Sequence, residues 1–87
     1  MQKQTILIKN KSGLHVRPAG VFVKEVSQYA CDVTITFKGN DYNAKSILGV
    51  LGAGVKCGDE IELTTSGQDE EQAMAGIAAA IESGLGE

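Results

Sequence analysis

His15 lies at the centre of the one segment whose residue types and spacing could do chemistry. It is the only histidine of the chain, and it stands within Gly-Leu-His-Val-Arg-Pro-Ala at positions 13–19. A helical pattern of apolar residues begins at Val16, and Pro18 suits a first helical turn because its missing N–H would have no intrahelical partner there. The sequence therefore predicts that His15 stands immediately before the start of a helix.

A helix start next to a histidine and an arginine is suited to anion chemistry. The first N–H groups of a helix have no intrahelical partner, and the macrodipole is positive at that end. Arg17 adds a planar cation that matches phosphate oxygens. A neutral imidazole is a competent nucleophile, because the ordinary pKa of histidine is about 6.5. A lone histidine is more often a surface or structural residue, so these residues by themselves indicate an anion site and do not establish phosphoryl transfer.

Other kinds of site fit this segment less well. One histidine without nearby cysteines or carboxylates cannot complete a metal coordination shell, so we expect no metal and no cofactor. A serine hydrolase would need a nucleophile elbow, which is absent. Two alternatives stay open. One is a ligand-binding regulatory domain, and the other is a small hydrolase of phosphorylated or acylated substrates that binds its anion with Arg17, with Asn10 and Ser12 as the polar candidates nearby.

Length and charge limit the class of protein. The 87 residues suffice for one small domain, which we assign to residues 1–87. The net charge is −3 and the lysines and arginines are dispersed, so we expect no direct binding to nucleic acid. No run of about 20 apolar residues and no apolar leader are seen, and Cys31 and Cys57 lack metal-type spacing. We expect a cytoplasmic protein without membrane insertion, in which both cysteines are small, partly buried side chains.

Hydrophobic periodicity predicts the element order β-α-β-β-α-β-α. The predicted strands are Gln4–Lys9, Cys31–Phe37, Asp41–Ala44 and Glu60–Thr65, and the predicted helices run from Val16 to about Gln28, from Ser46 to Leu51 and from Asp69 to about Gly84. Asp69 and Gln72 have the spacing of a capping box, and Leu85 continues the apolar stripe of the last helix. This order predicts an α+β open-faced sandwich, in which three helices cover one face of a four-stranded antiparallel sheet.

Two segments of the chain resemble one known family. Positions 13–19 resemble the phosphorylation-site motif of HPr, the histidine-containing phosphocarrier of the bacterial sugar phosphotransferase system. Positions 43–50, Asn-Ala-Lys-Ser-Ile-Leu-Gly-Val, resemble the regulatory-serine segment of the same family. The length, the element order and the positions of both motifs match across essentially the whole chain.

The resemblance implies a role for each residue of the first motif. His15 would accept a phosphoryl group from phosphoenolpyruvate by way of enzyme I, on its Nδ1 atom, and donate it to sugar-specific enzyme IIA components. Arg17 would position and neutralise that group. The protein would then be a covalent carrier and not an independent enzyme, and the presence of His15 separates it from HPr-like regulatory paralogues that lack the histidine. Gly20 departs from the family, where Ala, Ser or Thr is more common, which puts partner affinity in doubt and not the chemistry.

Ser46 suits an N-cap on physical grounds alone. The resemblance implies in addition that Ser46 is phosphorylated by HPr kinase/phosphorylase, in carbon catabolite control, and that phosphoserine is recognised by a catabolite-control transcription factor. The short helix after Ser46 has too many apolar residues for one buried face, and we assign Val50 to the core. We expect a monomer with a partner-binding surface formed by Val16, Gly20, Ile47, Leu48 and Leu51.

Overall fold

A computed structural model describes residues 1–87 and contains the seven predicted elements in the predicted order. The strands are β1 (Gln2–Leu7), β2 (Asp32–Phe37), β3 (Asn40–Asn43) and β4 (Glu60–Ser66), and the helices are α1 (Val16–Val26), α2 (Ile47–Ala53) and α3 (Glu70–Glu82). The largest boundary difference is at β1, which begins and ends two residues before the predicted strand. The polar residues at its start pair with β4, since main-chain pairing at a sheet edge does not require apolar side chains.

The four strands form one antiparallel sheet in the order β1-β4-β2-β3. The two central strands, β2 and β4, alternate buried and more exposed residues, as a sheet with a single covered face requires. The covered face contains apolar cross-strand pairs such as Ile6–Ile61 and Ile35–Leu63. The buried apolar residues in and next to these strands include Ile6, Ile8, Val33, Ile35, Phe37, Ile61 and Leu63.

The three helices cover that apolar face and confirm the open-faced sandwich. α3 packs on β1 and β4, α2 packs on β3, and α1 contacts both other helices. Phe22 and Val26 of α1 are fully buried, whereas Val21 is 40% exposed. Val21 is exposed because the buried stripe of α1 is centred on Ala19 and Phe22, and Val21 lies about 100° around the helix from Phe22. None of the three helices has the length and hydropathy needed to cross a bilayer.

The start of α3 differs from the predicted capping box. Asp69 occupies the N-cap position, yet its side chain caps no N–H of α3. Its carboxylate instead accepts hydrogen bonds of 2.9 Å from the backbone N–H groups of Ala30 and Cys31. These bonds, first that from Ala30, lower the pKa of the Asp69 carboxyl. The predicted Asp69–Gln72 box is therefore wrong, because the carboxylate connects α3 to the segment between α1 and β2.

The end of α3 is followed by a tail that bends back on the molecule. The helix ends at Glu82, so the prediction that Leu85 continues its apolar stripe as a helical residue is wrong. Leu85 is nevertheless buried. Gly84 adopts a φ of 93°, and the N–H of Leu85 donates to the carbonyl of Ala80 over 3.2 Å, which closes the last turn. Leu85 thus reaches the core from a left-handed turn, and the remaining tail extends toward the loop that carries His15.

The two cysteines lie in unlike environments. Cys31 is buried and Cys57 is exposed, and both are free thiols. The prediction of partial burial is wrong for Cys57, which belongs to a tight turn closed by a 2.9 Å hydrogen bond from the N–H of Lys56 to the carboxylate of Asp59.

Candidate functional site

His15 is the N-cap of α1, as its predicted place before a helix start requires. Its backbone is extended, with φ −82° and ψ 179°, and its carbonyl accepts a 2.8 Å hydrogen bond from the N–H of Ala19. The imidazole caps no backbone N–H and is exposed to solvent. The histidine therefore contributes to the helix through its main chain and leaves its side chain accessible.

The first turn of α1 presents polar groups suited to an anion. The N–H groups of Val16 and Arg17 come before the first intrahelical donor, the N–H of Ala19, and Pro18 between them and Ala19 has no N–H. No acidic residue occupies this turn. The Arg17 side chain is exposed and forms no ion pair or hydrogen bond within the chain. Two backbone donors, the positive end of the helix dipole and a guanidinium group thus belong to the residues that adjoin His15.

Gly13 allows the loop before His15 to approach the segment before β4 closely. Its φ is +63°, and a Cβ atom there would lie 2.6 Å from both the Cα of Lys56 and the carbonyl oxygen of Val55. The next residue, Leu14, is buried and donates from its N–H to Val55 over 2.9 Å. Neither the conformation nor the space at this position admits a side chain, so the close approach requires glycine.

A second set of contacts holds the same loop from the other side. Asn10 is only 5% exposed, and its Nδ2 donates to the carbonyl of Gly13 over 2.7 Å and to Oε1 of Glu87 over 2.9 Å. The same Oε1 accepts from the N–H of Ser12 over 2.9 Å, and Oε2 accepts from the Ser12 hydroxyl over 2.8 Å. The bonds from Asn10 and Ser12, together with the charge of Arg17, lower the pKa of the Glu87 carboxyl to about 2. Glu87 is therefore ionised at neutral pH.

The sequence alone does not reveal this contribution of Glu87. Asn10 and Ser12 stand near His15 and were recognisable as polar neighbours, but Glu87 is 77 positions away from Asn10. The available signal was a pair of glycines around Leu85, which indicates that the chain turns after the last helix. That signal shows a turn and does not show where the tail ends.

Ser46 is the N-cap of α2, as its residue type predicts. Its φ is −104° and its ψ is 119°, and its Oγ accepts a 3.1 Å hydrogen bond from the N–H of Gly49. A Cβ atom at Gly49 would lie 3.2 Å from the carbonyl oxygen of Asn43, so a larger residue would press on the turn that precedes Ser46. Ser46 is half-buried, and its hydroxyl has a structural role in the resting protein.

An exposed surface of small and apolar residues is distributed over α1 and α2, which contact each other. Val50 is fully buried, as predicted, whereas Leu48 is 79% exposed and Val16 is 62% exposed. Gly20 is exposed, with open space where a Cβ would lie. We define the helix patch as these exposed positions and their less exposed neighbours: Val16, Gly20, Ile47, Leu48 and Leu51.

The concave surfaces of the molecule do not include the His15 loop. One depression is lined by Gly67–Gln72, before and within the first turn of α3, and has no hydrophobic lining residue. The other lies on the open face of the sheet and is lined mainly by threonines and charged residues. Neither depression encloses the exposed groups around His15, which are open to contact with another macromolecule.

The fold and the site define a class of small α+β proteins that present an exposed histidine at a helix start. The family model described as the HPr component phosphorylation site of the phosphotransferase system (PTS) matches residues 2–83. The chain belongs to this HPr family, whose general role is that of a phosphocarrier.

Relatives and solved structures agree with this assignment. Phosphocarrier protein HPr of Chlamydia pneumoniae is 41% identical over 83 residues, which cover 95% of this chain and 77% of that protein. HPr-like protein Crh of Bacillus subtilis (strain 168) is 37% identical over 82 residues, which cover 94% of this chain and 96% of Crh. A crystal structure of HPr from Thermoanaerobacter tengcongensis superposes with a TM-score of 0.97 at 41% identity, and the match covers 100% of this chain and 98% of that one.

The oligomeric state we expected has no support among these relatives. A second crystal structure from Thermoanaerobacter tengcongensis is described as an HPr dimer and matches with a TM-score of 0.80 at 41% identity, with full coverage of both chains. Relatives of this family can therefore form dimers, and the family assignment does not make this chain a monomer.

Proposed function

We propose that His15 accepts a phosphoryl group from phospho-enzyme I and passes it to sugar-specific enzyme IIA components. The observation that carries this proposal is the exposed imidazole at the N-cap of α1, next to the free N–H groups of Val16 and Arg17. Membership of a phosphocarrier family supports the same role. We propose that this relay operates in the cytoplasm.

The transfer exchanges one bond to phosphorus for another. The unprotonated ring nitrogen of His15, which we take to be Nδ1, attacks the phosphorus atom of the donor, and the bond to the donor's leaving atom breaks with its electron pair. The first-turn N–H groups and the Arg17 guanidinium stabilise the transferred oxygens by charge-assisted hydrogen bonds. Delivery to the acceptor protein is the same exchange in the opposite direction, with the nitrogen of His15 as the leaving atom.

The surroundings of His15 favour a relay over an independent catalyst. No side chain forms a hydrogen bond with the imidazole, so no second residue of this chain is paired with His15 as in a hydrolytic triad. Donor and acceptor proteins would supply the remaining groups, and each would have to reach the exposed histidine directly. This chain would then be a covalent intermediate in the reactions of its partners.

The helix patch provides a docking surface for these partners. Leu48 and Val16 are its most exposed side chains, and Ile47 and Leu51 extend it. Small apolar surfaces with polar surroundings are typical of transient contacts, in which less than about 1,200 Å² is buried. Such a surface suits a carrier that must bind one partner and then leave it for the next.

Phosphorylation of Ser46 would regulate this docking. A phosphoserine carries about two negative charges, and an N-cap position tolerates them because the helix dipole is favourable there. The charges would lie directly before Ile47 and Leu48 and would oppose their desolvation by enzyme I. HPr kinase/phosphorylase would add the phosphate in carbon catabolite control, and a catabolite-control transcription factor would bind the product. A relative described as HPr-like protein Crh is consistent with a regulatory branch of this family.

The relay can be tested by following phosphate through all three proteins. The purified chain is incubated with phosphoenolpyruvate and enzyme I, repurified, and then mixed with an enzyme IIA component. We expect the chain to gain one phosphoryl group and to lose it as enzyme IIA gains one. His15→Ala should gain none, whereas Lys24→Ala, a change at the other end of α1, should behave as the wild type. A wild-type chain that gains phosphate and cannot pass it on would contradict the proposal.

A further inference from the structure

The turn formed by Asn10, Lys11 and Ser12 holds a carboxylate in the way a binding site holds an anion. Three donors converge on Glu87: the Nδ2 of Asn10, the N–H of Ser12 and the hydroxyl of Ser12, at 2.8 to 2.9 Å. Both carboxylate oxygens are engaged. Asn10 is buried, so its amide cannot exchange this acceptor for bulk water without exposing the loop. The contact is therefore built into the fold and is more than a chance pairing of surface side chains.

The chain between α3 and Glu87 adopts an unusual conformation to reach this turn. Gly84, Leu85 and Gly86 all have positive φ angles, of 93°, 51° and 85°. Such angles are unfavourable for a residue with a side chain, as Leu85 is. Burial of Leu85 fixes the middle of the tail, and the N–H of Glu87 donates to the carbonyl of Gly84 over 3.0 Å. These contacts direct the Glu87 side chain at the Asn10–Ser12 turn.

The turn held by Glu87 continues directly into the residue that carries the chemistry. After Ser12 the chain passes through Gly13 and Leu14, which are fixed against Val55 and Lys56, and then reaches His15. The loop is thus fixed on one side by the segment before β4 and on the other side by Glu87. Release of the Glu87 side would leave the backbone before His15 held by one set of contacts only.

We propose that Glu87 is a positioning residue for phosphoryl transfer, which acts by holding the Asn10–Ser12 turn and with it the backbone that presents His15. The inference rests on the proposed function of His15. Misplacement of a reacting group by about 1 Å can reduce a rate by about 100-fold, so a loop that gains freedom at one end should slow the transfer step itself. The effect should fall on the maximal rate, because Glu87 is not part of the helix patch.

The test measures single-turnover phosphoryl transfer from phospho-enzyme I as the donor concentration is varied. For Glu87→Ala we expect the maximal rate to fall about 10-fold while the half-saturating donor concentration is unchanged. Glu82→Ala is the matched control, because Glu82 lies at the same end of α3 and pairs with Lys9 instead of the turn. Glu87→Gln keeps one oxygen acceptor and should give an intermediate rate, which also serves if Glu87→Ala fails to fold.

Three results would overturn the inference. The first is a wild-type maximal rate in Glu87→Ala. The second is an equal loss in Glu87→Ala and Glu82→Ala, which would indicate an effect of net charge. The third is a change confined to the half-saturating concentration, which would place Glu87 in docking. In all three cases phosphorylation at His15 would still occur, whereas a phosphate that remains after His15→Ala would refute the proposed function itself.

Discussion

The buried amide of Asn10 donates to the carboxylate of Glu87 over 2.9 Å, although the two residues are 77 positions apart in the sequence. This bond joins the loop between β1 and α1 to the tail after α3. Since the loop that begins at Asn10 continues to His15, the tail is part of the structure that presents the histidine. The site is therefore assembled from both ends of the described chain, and its geometry should respond to changes at Glu87.

The pKa of Glu87 predicts a specific pH dependence of stability. Its carboxyl has a pKa of about 2 in the folded protein, against 4.5 as the ordinary value. Because the folded-state pKa is lowered, the ionised form stabilises the fold; this contribution is complete above pH 4.5 and is lost as the pH falls toward 2. Glu87→Gln should be less stable than the wild type at neutral pH, and the difference should shrink through that window. Urea unfolding at a series of pH values measures it, and a difference that stays constant into acid would contradict the assignment.

Gly13 should tolerate no side chain. Gly13→Ala would force a Cβ to within 2.6 Å of the backbone at Val55 and Lys56 and would place alanine at a φ of +63°. We expect a loss of at least about 2 kcal/mol in the free energy of unfolding. Gly20→Ala is the control, because a Cβ there meets nothing within 4 Å and the residue is helical. That change should stabilise the protein by about 0.5–1 kcal/mol, and equal effects at both glycines would refute this account.

Ser46 should have separable structural and regulatory roles. Ser46→Ala removes the acceptor for the N–H of Gly49 and should cost about 1 kcal/mol in stability while leaving phosphoryl transfer to His15 intact. Ser46→Asp keeps a capping oxygen, so its stability should stay within about 0.5 kcal/mol of the wild type, but its added charge should slow acceptance from enzyme I. Chemical denaturation and transfer rates measure the two effects. Acceptance by Ser46→Asp at the wild-type rate would sink the regulatory proposal.

Substitutions at two nearby residues of α2 should distinguish a role in the core from a role in the helix patch. Val50 is fully buried, so Val50→Ala should cost about 2 kcal/mol in the free energy of unfolding. Leu48 is largely exposed, so Leu48→Ala should change stability by less than about 0.5 kcal/mol and instead raise the enzyme I concentration needed for half-maximal transfer. Calorimetry and titration with enzyme I distinguish the two. A Leu48→Ala chain with unchanged half-saturation would remove Leu48 from the docking surface.

Local patterns were sufficient to predict the elements and the position of His15. Val33, Ile35 and Phe37 alternate with polar residues, and this period alone specifies which face of β2 is buried. Pro18 marks the first turn of α1 because few other positions in a helix accept a proline, so the place of His15 follows directly. Both signals arise within one element, where spacing along the chain determines spacing in the molecule.

Contacts between distant segments could not be predicted in the same way. Asp69 has the residue type and spacing of a capping box, but the N–H groups of Ala30 and Cys31 compete for the same carboxylate and bind it. Glu87 likewise depends on a tail whose course is set by left-handed residues and by the burial of Leu85. In both cases the donors come from another part of the chain, and no local pattern identifies them.

We propose above all that the phosphoryl group is carried covalently on the side chain of His15. The most direct measurement is the intact mass of the chain after incubation with phosphoenolpyruvate and enzyme I, followed by fragmentation under basic conditions that preserve phosphohistidine. We predict one added phosphoryl group, located on His15, that is lost in acid and retained in base. An added group that persists in His15→Ala, or that survives acid treatment, would contradict the claim.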